Sequence, residues 1–176
     1  PFSELVFEDC RVPAENMVGE ENSMVRMVLA GLHRERVVWS AEAVGIAQGA
    51  YEIAKRYAAE REQFGQPIIE FQMIQEKLVQ MAMEVHIGRM LVYRSALMAD
   101  LGRSEEVGLE ASYAKLYACD MSERVAAMAL HILGGYGYTR EYQVERYFRD
   151  AKAMPIGAGT SETQRLIIAR KLFGRD

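Results

Sequence analysis

Helical periodicity runs through most of this chain and constrains its fold more than any other feature. From about residue 22 onward, apolar residues recur at steps of three and four, the spacing of amphipathic helices. The pattern predicts helices over residues 23–62, 71–101, 104–133 and 141–150, and a last helix from residue 161. Because long helices joined by short breaks pack side by side, we expect an all-α fold, an antiparallel helical bundle.

The first 20 residues differ from the rest. Residues 4–8, ELVFE, have the pattern of a short strand, and Asp9, Pro13 and Asn16 after them indicate a loop. The chain begins with Pro1 rather than Met, which predicts that an N-terminal part is missing.

Composition excludes several classes of function. A 50% hydrophobic content over 176 residues is enough for one well-formed core. The net charge of −4, without a basic run, argues against nucleic acid as a partner. No membrane-spanning run, signal peptide or metal-binding motif is visible in the sequence. Cys10 and Cys119 indicate a reducing compartment, so we expect a cytoplasmic protein, or a mitochondrial-matrix protein if the source is eukaryotic.

The first long helix carries a carboxylate on its apolar stripe. Glu35 lies between two of the stripe residues, which are Val28, Leu32, Trp39, Ala43 and Ile46. A carboxylate on a buried face is costly unless it is paired, and such a group is suited to act as a general base. The alternative is a residue at the rim of the core that pairs with an arginine. Glu42 is a weaker candidate of the same kind.

Two breaks between helices contain residues suited to a flat or phosphorylated ligand. In the break at 60–72, Arg61, Gln63 and Gln72 surround aromatic residues, which suits a nucleotide or a pyrophosphate. An ordinary helix end is the alternative. The break that begins at Gly134-Gly135 has closely spaced tyrosines and suggests backbone close to a ligand, although a plain turn fits its spacing equally well.

The tail contains a third candidate. Gly157-Ala158-Gly159 leads into a helix, and Ser161 with Gln164 has the spacing of a capping box. A helix start with free N–H groups favours negative charge, whereas an ordinary loop and N-cap is the alternative.

Methionines are frequent in the second helix, at positions 73, 81, 83, 90 and 98. They indicate either a pliable binding groove or core packing, and we favour core packing because they are spread along a long helix.

Taken together, these segments resemble the C-terminal half of the acyl-CoA dehydrogenases. The matching stretches are REQFGQPIIEFQ, HILGGYGYTREYQVERYFRDAK and IGAGTSETQRLIIARKL, in this order. The opening, ELVFEDCRVPAENMVGEEN, is similar to the end of the family's middle β-domain. The resemblance implies that residues 1–20 are a strand remnant and linker of that β-domain and that residues 21–176 form the C-terminal helical bundle.

The family resemblance implies an oxidoreductase with FAD as its cofactor, an acyl-CoA thioester as its substrate and electron-transfer flavoprotein as its electron acceptor. It also implies a homotetramer that acts in fatty acid or branched-chain amino acid catabolism. In the reaction, a base takes the α proton while the β hydride passes to the flavin. A piece like this one, taken alone, is expected to be inactive and to bind FAD poorly.

The position of the base separates this chain from most of the family. Most members carry it as a glutamate in the tail turn, where this chain has Ala158. The isovaleryl-CoA, or short branched-chain, dehydrogenase branch resembles this chain in its Gly-Ala-Gly-Thr-Ser-Glu turn. That branch carries the base on the long helix, in a Leu-x-x-Glu-Arg context that is here Leu32 to Arg36. The resemblance therefore implies the same residue, Glu35, that the apolar stripe indicates.

The resemblance assigns further residues by position. The Ala158 backbone N–H becomes a donor to the enolate oxygen, and small residues at 157 and 158 leave room for a bulky acyl group. Arg36, Gly157 and Arg170 are implied as substrate-binding residues. The implied FAD-binding residues are Arg61, Gln63, Phe64, Gln72, His131, Gly134, Gly135, Thr160 and Glu162. From the residues alone, His131 is more typical of the core or its boundary.

Three functions remain open from the sequence. The first is an acyl-CoA dehydrogenase for a short or branched acyl group with Glu35 as base. The second is a relative with another acyl substrate or with oxygen as acceptor. The third is an inactive module for binding or assembly, which the alanine at 158 suggests and the glutamate at 35 opposes.

Overall fold

The fold was determined from a computed structural model that describes residues 3–102 and 104–174, without the side chains of residues 29, 30 and 104–106. Helices form most of it: α1 Met24–Glu60, α2 Gln72–Asp100, α3 Ser104–Leu133, α4 Val144–Ala153 and α5 Ser161–Phe173. Short 3-10 helices occur at Ala14–Asn16, Ile68–Glu70 and Gly134–Tyr138. The predicted all-α fold is confirmed, and the observed helix ends lie within about three residues of those that the periodicity predicted.

The chain divides into two compact units, Pro1–Leu32 and His33–Asp176. In the first unit, residues 3–7 form no strand, so the strand predicted for residues 4–8 is wrong for this chain. A β-strand is stabilised by hydrogen bonds to a neighbouring strand, and the described part of this unit contains no such neighbour. The unit does contain a local turn, in which the Ser23 hydroxyl donates to the Glu20 carbonyl.

The second unit is an antiparallel bundle. Along α2 and α3, Glu84 pairs with Arg124 at 2.6 Å, whereas Arg94, further along α2, pairs with the earlier Glu110 of α3 at 2.9 Å. The two helices therefore run in opposite directions. Further along the chain, Lys152 of α4 donates to Glu123 of α3 at 2.6 Å.

The buried face of α1 is made of small residues. From residue 33 onward, its fully buried side chains are mostly alanine and serine, namely Ser40, Ala43, Ala47, Ala50, Ala54 and Ala58. Small side chains allow helices to approach closely, and Gly49 extends this effect because a Cβ there would lie 2.7 Å from the Tyr147 hydroxyl. The larger residues Trp39 and Ile46 lie beside this face, half-buried.

The methionines of α2 mostly face outward. Met81 is fully buried, but Met73, Met83 and Met90 are more than half exposed. The prediction that they belong to the core is therefore wrong for three of them. The buried side of α2 instead carries residues such as Val85, Gly88 and Val92.

A tight hairpin connects α1 to α2. Its strands, β1 Glu62–Gln63 and β2 Gln66–Pro67, pair antiparallel, and the two residues between them, Phe64 and Gly65, have φ of 54° and 82°. Positive φ at both central residues is the geometry of a type I′ turn, which matches the twist of the strands. No helix in the described part of the chain has the length and apolar character needed to cross a bilayer.

Candidate functional site

The tail turn, defined here as residues 154–160, connects α4 to α5. Side chains of other helices donate hydrogen bonds to its backbone carbonyls. The Trp39 indole N–H donates to the Met154 carbonyl at 3.0 Å, and the Lys115 ammonium donates to the Pro155 carbonyl at 3.2 Å. The Ser161 N–H donates to the same Pro155 oxygen at 3.1 Å. The start of the turn is thus fixed to both α1 and α3.

The middle of the tail turn has an unusual backbone. Ala158 has a φ of 53° and Gly159 a φ of 87°. For alanine this left-handed region costs roughly 1–2 kcal/mol, so the surrounding contacts must hold it. Gln164, which is fully buried, does so by donating to the Gly159 carbonyl at 3.0 Å. Within the described residues, the Ala158 N–H has no hydrogen-bond partner, so it is free to donate to a ligand.

Gly157, in the middle of the tail turn, must be a glycine because of the position of Trp39. A Cβ built on Gly157 would lie 2.2 Å from Cζ2 of the Trp39 indole, which is a severe overlap. The space that this glycine leaves free is therefore taken by the indole. On the side of the turn that faces Trp39, residue 157 therefore leaves no room for a bulky acyl group, contrary to the expectation.

The helix start after the turn differs from the prediction by one residue. Thr160, not Ser161, is the N-cap of α5, and its hydroxyl accepts from the Thr163 N–H at 3.3 Å. Ser161 instead donates to Asp120 of α3 at 2.6 Å. In the first turn of α5, Glu162 is exposed, and hydrogen bonds from its own backbone N–H and from Thr160 lower the pKa of its carboxyl group.

Glu35 lies on the exposed side of α1, so the prediction that it belongs to a buried face is wrong. The reason is that the small residues of α1, not its large ones, face the core, which turns Glu35 outward. Glu42 is exposed as well. Glu35 is one helical turn before Trp39, and residues four apart on a helix have Cβ atoms roughly 6 Å apart. It is therefore on the side of α1 that approaches the tail turn.

Arg36, the neighbour of Glu35, points into the protein. Its side chain is 6% exposed, it contacts His33 Nδ1 at 3.4 Å, and its Nε has no partner within the described residues. Burial lowers the pKa of the Arg36 guanidinium, and the Glu35 charge partly opposes that shift. Burial, together with the charges of Arg36 and Lys171, lowers the pKa of His33. The positive charges of Arg36 and Lys171 therefore both lie close enough to His33 to act on it.

A groove of about 500 Å³ at the other end of the bundle brings together four of the predicted FAD-binding residues, Arg61, Gln63, Gly134 and Gly135. A Cβ at either glycine would meet nothing within 4 Å, and Gly134 has a φ of 60°. Arg61 stacks over the Tyr136 ring at 5.6 Å. A guanidinium beside open backbone fits a phosphate, so these residues suit the adenine dinucleotide part of FAD.

Other predicted residues do not line that groove. Phe64 lies at the tip of the hairpin and is 94% exposed. Its ring centroid is 6.2 Å from that of Phe71, in an edge-to-face arrangement. Gln72 and His131 are exposed, at the start of α2 and in the last turn of α3. Arg170 is exposed in the last turn of α5.

Sequence reasoning missed several residues of these sites. Tyr57 and Tyr142 meet edge to face at 5.9 Å and, with Arg56 and Glu60, line a second groove of about 540 Å³ beside the first. Burial raises the pKa of the Tyr57 phenol, and the Arg61 charge partly opposes it. Lys115 was also missed, although a lysine between Ala111, Ala114 and Ala118 on a helix face is a signal that the sequence carries.

Comparison with known proteins gives one consistent result. The profile of the acyl-CoA dehydrogenase C-terminal domain matches residues 25–173. A probable acyl-CoA dehydrogenase, YngJ, of Bacillus subtilis (strain 168) is 49% identical over 97% of this chain and 44% of its own length. The mitochondrial isovaleryl-CoA dehydrogenase of Oryza sativa subsp. japonica is 44% identical over 97% of this chain and 41% of its own length.

A solved structure agrees with these sequence matches. The butyryl-CoA dehydrogenase of Megasphaera elsdenii superposes with a TM-score of 0.86 at 40% identity, over 96% of this chain and 43% of that one. This chain thus spans less than half the length of the relatives that it matches.

Proposed function

This chain belongs to the acyl-CoA dehydrogenase family, and we propose that it is the C-terminal part of an FAD-dependent enzyme that oxidises a short or branched-chain acyl-CoA. The family resemblance drawn from the sequence motifs is confirmed, and FAD, the predicted cofactor, is the cofactor of this family. The single observation that carries the proposal is the tail turn, whose Ala158 N–H is held in a strained backbone and has no hydrogen-bond partner among the described residues.

In the proposed reaction, Glu35 takes the α proton of the thioester. The electron pair of that C–H bond forms the new α,β double bond, and the β hydrogen leaves as hydride. FAD, when bound, would supply the acceptor for this hydride. Ala158 itself cannot take a proton, but its N–H donates to the thioester oxygen, where negative charge develops.

The position of Glu35 supports its role as the base. It lies one turn from Trp39, which is hydrogen-bonded to the tail turn, so both groups of the reaction come from the same end of the bundle. Glu35 is exposed in this chain, and a base works best away from water. We propose that the part of the enzyme that corresponds to the remaining length of its relatives covers this side of α1.

The separation of the two site regions supports an assembly of several copies. Lys115, at the tail turn, and Leu133, at the groove, are 18 residues apart on α3, which is roughly 27 Å at the rise of an α-helix. We propose that the groove holds the adenine dinucleotide of an FAD whose flavin lies at a tail turn of another copy. This arrangement fits the homotetramer that is typical of the family, with electron-transfer flavoprotein as the acceptor. In this proposal, the 176 residues alone are inactive.

Replacing Glu35 with Gln tests the assignment. The flavin-loaded protein that carries this chain is mixed with isovaleryl-CoA and other short acyl-CoA thioesters without oxygen, and flavin absorbance is followed. We expect the wild type to bleach and Glu35→Gln to bleach about 10³-fold more slowly, because amide nitrogen cannot accept the proton. Glu42→Gln is the matched control and should bleach at the wild-type rate. Equal bleaching of the wild type and Glu35→Gln would place the base elsewhere.

A further inference from the structure

Lys115 is a buried cation that the proposed mechanism does not use. Its side chain is 0% exposed and is the largest among the fully buried side chains. It comes from the middle of α3, one turn after Ala111 and one turn before Cys119, both also fully buried. Removing an ammonium group from water is costly, so a fold retains one only where its surroundings or its task compensate.

The surroundings of Lys115 compensate only in part. Its ammonium donates to the Pro155 carbonyl at 3.2 Å, and no carboxylate among the described side chains forms an ion pair with it. Asp120, five residues after Lys115 on α3, is already bonded to Ser161 and Arg165. Burial lowers the pKa of Lys115, the Arg36 charge lowers it further, and Cys119, Asp120 and Glu162 oppose these effects.

The carbonyl that Lys115 holds lies three residues before the strained Ala158. Three side chains fix this turn: Trp39 at the Met154 carbonyl, Lys115 at the Pro155 carbonyl and Gln164 at the Gly159 carbonyl. A neutral donor is sufficient to hold a carbonyl, as Trp39 and Gln164 demonstrate. Lys115 alone of the three adds a positive charge, and it does so at a carbonyl three residues before Ala158.

We propose that Lys115 is a positioning residue of the dehydrogenation. Its ammonium fixes the Pro155 carbonyl so that the Ala158 N–H points to the thioester oxygen, and its buried charge stabilises the negative charge that develops there. This inference rests on the proposed function, because it concerns the same oxygen. It does not require Lys115 to touch substrate or flavin.

The test compares Lys115→Met, which keeps the length of the side chain but not its charge, with Lys115→Arg, which keeps the charge. Val125→Ala is the matched control, since Val125 is a fully buried residue of the same helix whose truncation leaves a cavity. All three are made in the flavin-loaded protein. The readouts are the bleaching rate at saturating isovaleryl-CoA, the affinity for that thioester, the melting temperature, and hydrogen exchange of the peptide that contains residues 154–160.

For Lys115→Met we expect bleaching to slow by about 100-fold, the size of effect seen when a transition-state donor is lost, with an affinity change below about threefold. Exchange in the tail turn should rise while exchange in α2 stays unchanged. Lys115→Arg should recover about tenfold of the lost rate. Val125→Ala should lower the melting temperature with little effect on the rate. If Lys115→Met yields no flavoprotein, Lys115→Gln tests the charge alone, with a loss of about tenfold expected.

If the wild type is active, either of two results would overturn the proposed role of Lys115. One is a wild-type bleaching rate in Lys115→Met, or in Lys115→Gln where that variant replaces it. The other is a loss of rate in Val125→Ala that matches the loss in the lysine variant at an equal loss of melting temperature, because the lysine would then serve stability only. A wild-type protein that no acyl-CoA bleaches would instead overturn the proposed function, and the role of Lys115 together with it.

Discussion

The tail turn, which contacts the middle of α3, and the groove at the C-terminal end of α3 are built in contrasting ways. Two of the three side chains that fix the tail turn, Lys115 and Gln164, are fully buried, and the half-buried Trp39 ring fills the place where a Cβ of Gly157 would lie. The groove has two glycines, Gly134 and Gly135, where an added Cβ would meet nothing within 4 Å. In the proposed function, the site that directs one N–H is thus prepared by the chain itself, whereas the site proposed to hold a cofactor is left open.

Substitution of Gly157 by Ala gives the largest effect expected from this contrast. The new Cβ would overlap the Trp39 indole, and overpacking of this kind costs about 2 kcal/mol of unfolding free energy. Gly45→Ala is the control, because a Cβ there meets nothing and alanine favours the helix by up to about 1 kcal/mol. Denaturant unfolding measures both. Similar stabilities of the two variants would contradict the closed packing of the tail turn.

The same substitution in the groove should separate binding from stability. At Gly135, a Cβ enters open space, so Gly135→Ala should leave the unfolding free energy within about 0.5 kcal/mol of wild type. It should nevertheless weaken FAD retention about tenfold, because the added methyl group occupies space that the cofactor approaches. Flavin absorbance after gel filtration measures retention. Unchanged retention would argue that the groove does not hold FAD.

The smallest expected effect concerns alkylation of Cys119, which should not occur in the folded protein. Cys119 is one turn from Lys115 under the tail turn, is fully buried, and burial raises the pKa of its thiol to about 12. Since the folded protein holds this thiol in its neutral form, alkylation at pH 8 should spare it until denaturant is added. Mass spectrometry of its peptide provides the measurement, with Cys10, which is exposed, as the internal reference. Rapid alkylation of native Cys119 would show that water reaches this region.

The helices could be predicted from the sequence because the spacing of apolar residues is a local property. The strand at residues 4–8 could not, since a strand depends on a partner that local sequence does not contain. Glu35 was singled out partly because of a buried apolar stripe, and the structure contradicts that reason by placing Glu35 on the exposed side of α1. Apart from Ala43, the stripe consists of large apolar residues, whereas the core of α1 also uses Ala47 and Ala50, which the same periodicity fits.

The site was predicted to a different extent in its two regions. Motifs next to one another in sequence, such as Gly134-Gly135 and the residues after Arg61, led to the groove directly. The supports of the tail turn, Trp39, Lys115 and Gln164, come from three helices, and two of them are more than 35 residues from the carbonyls they hold. Contacts over such separations depend on the packing of the bundle, which spacing alone does not give.

Trp39 is the only tryptophan of this chain, and its indole is both hydrogen-bonded to Met154 and stacked into the place of the Gly157 side chain. Indole emission shifts with the polarity around the ring, so this residue is a natural optical reporter of the tail turn. Its emission would report on the tail turn during titration with thioester or with denaturant, without an attached dye.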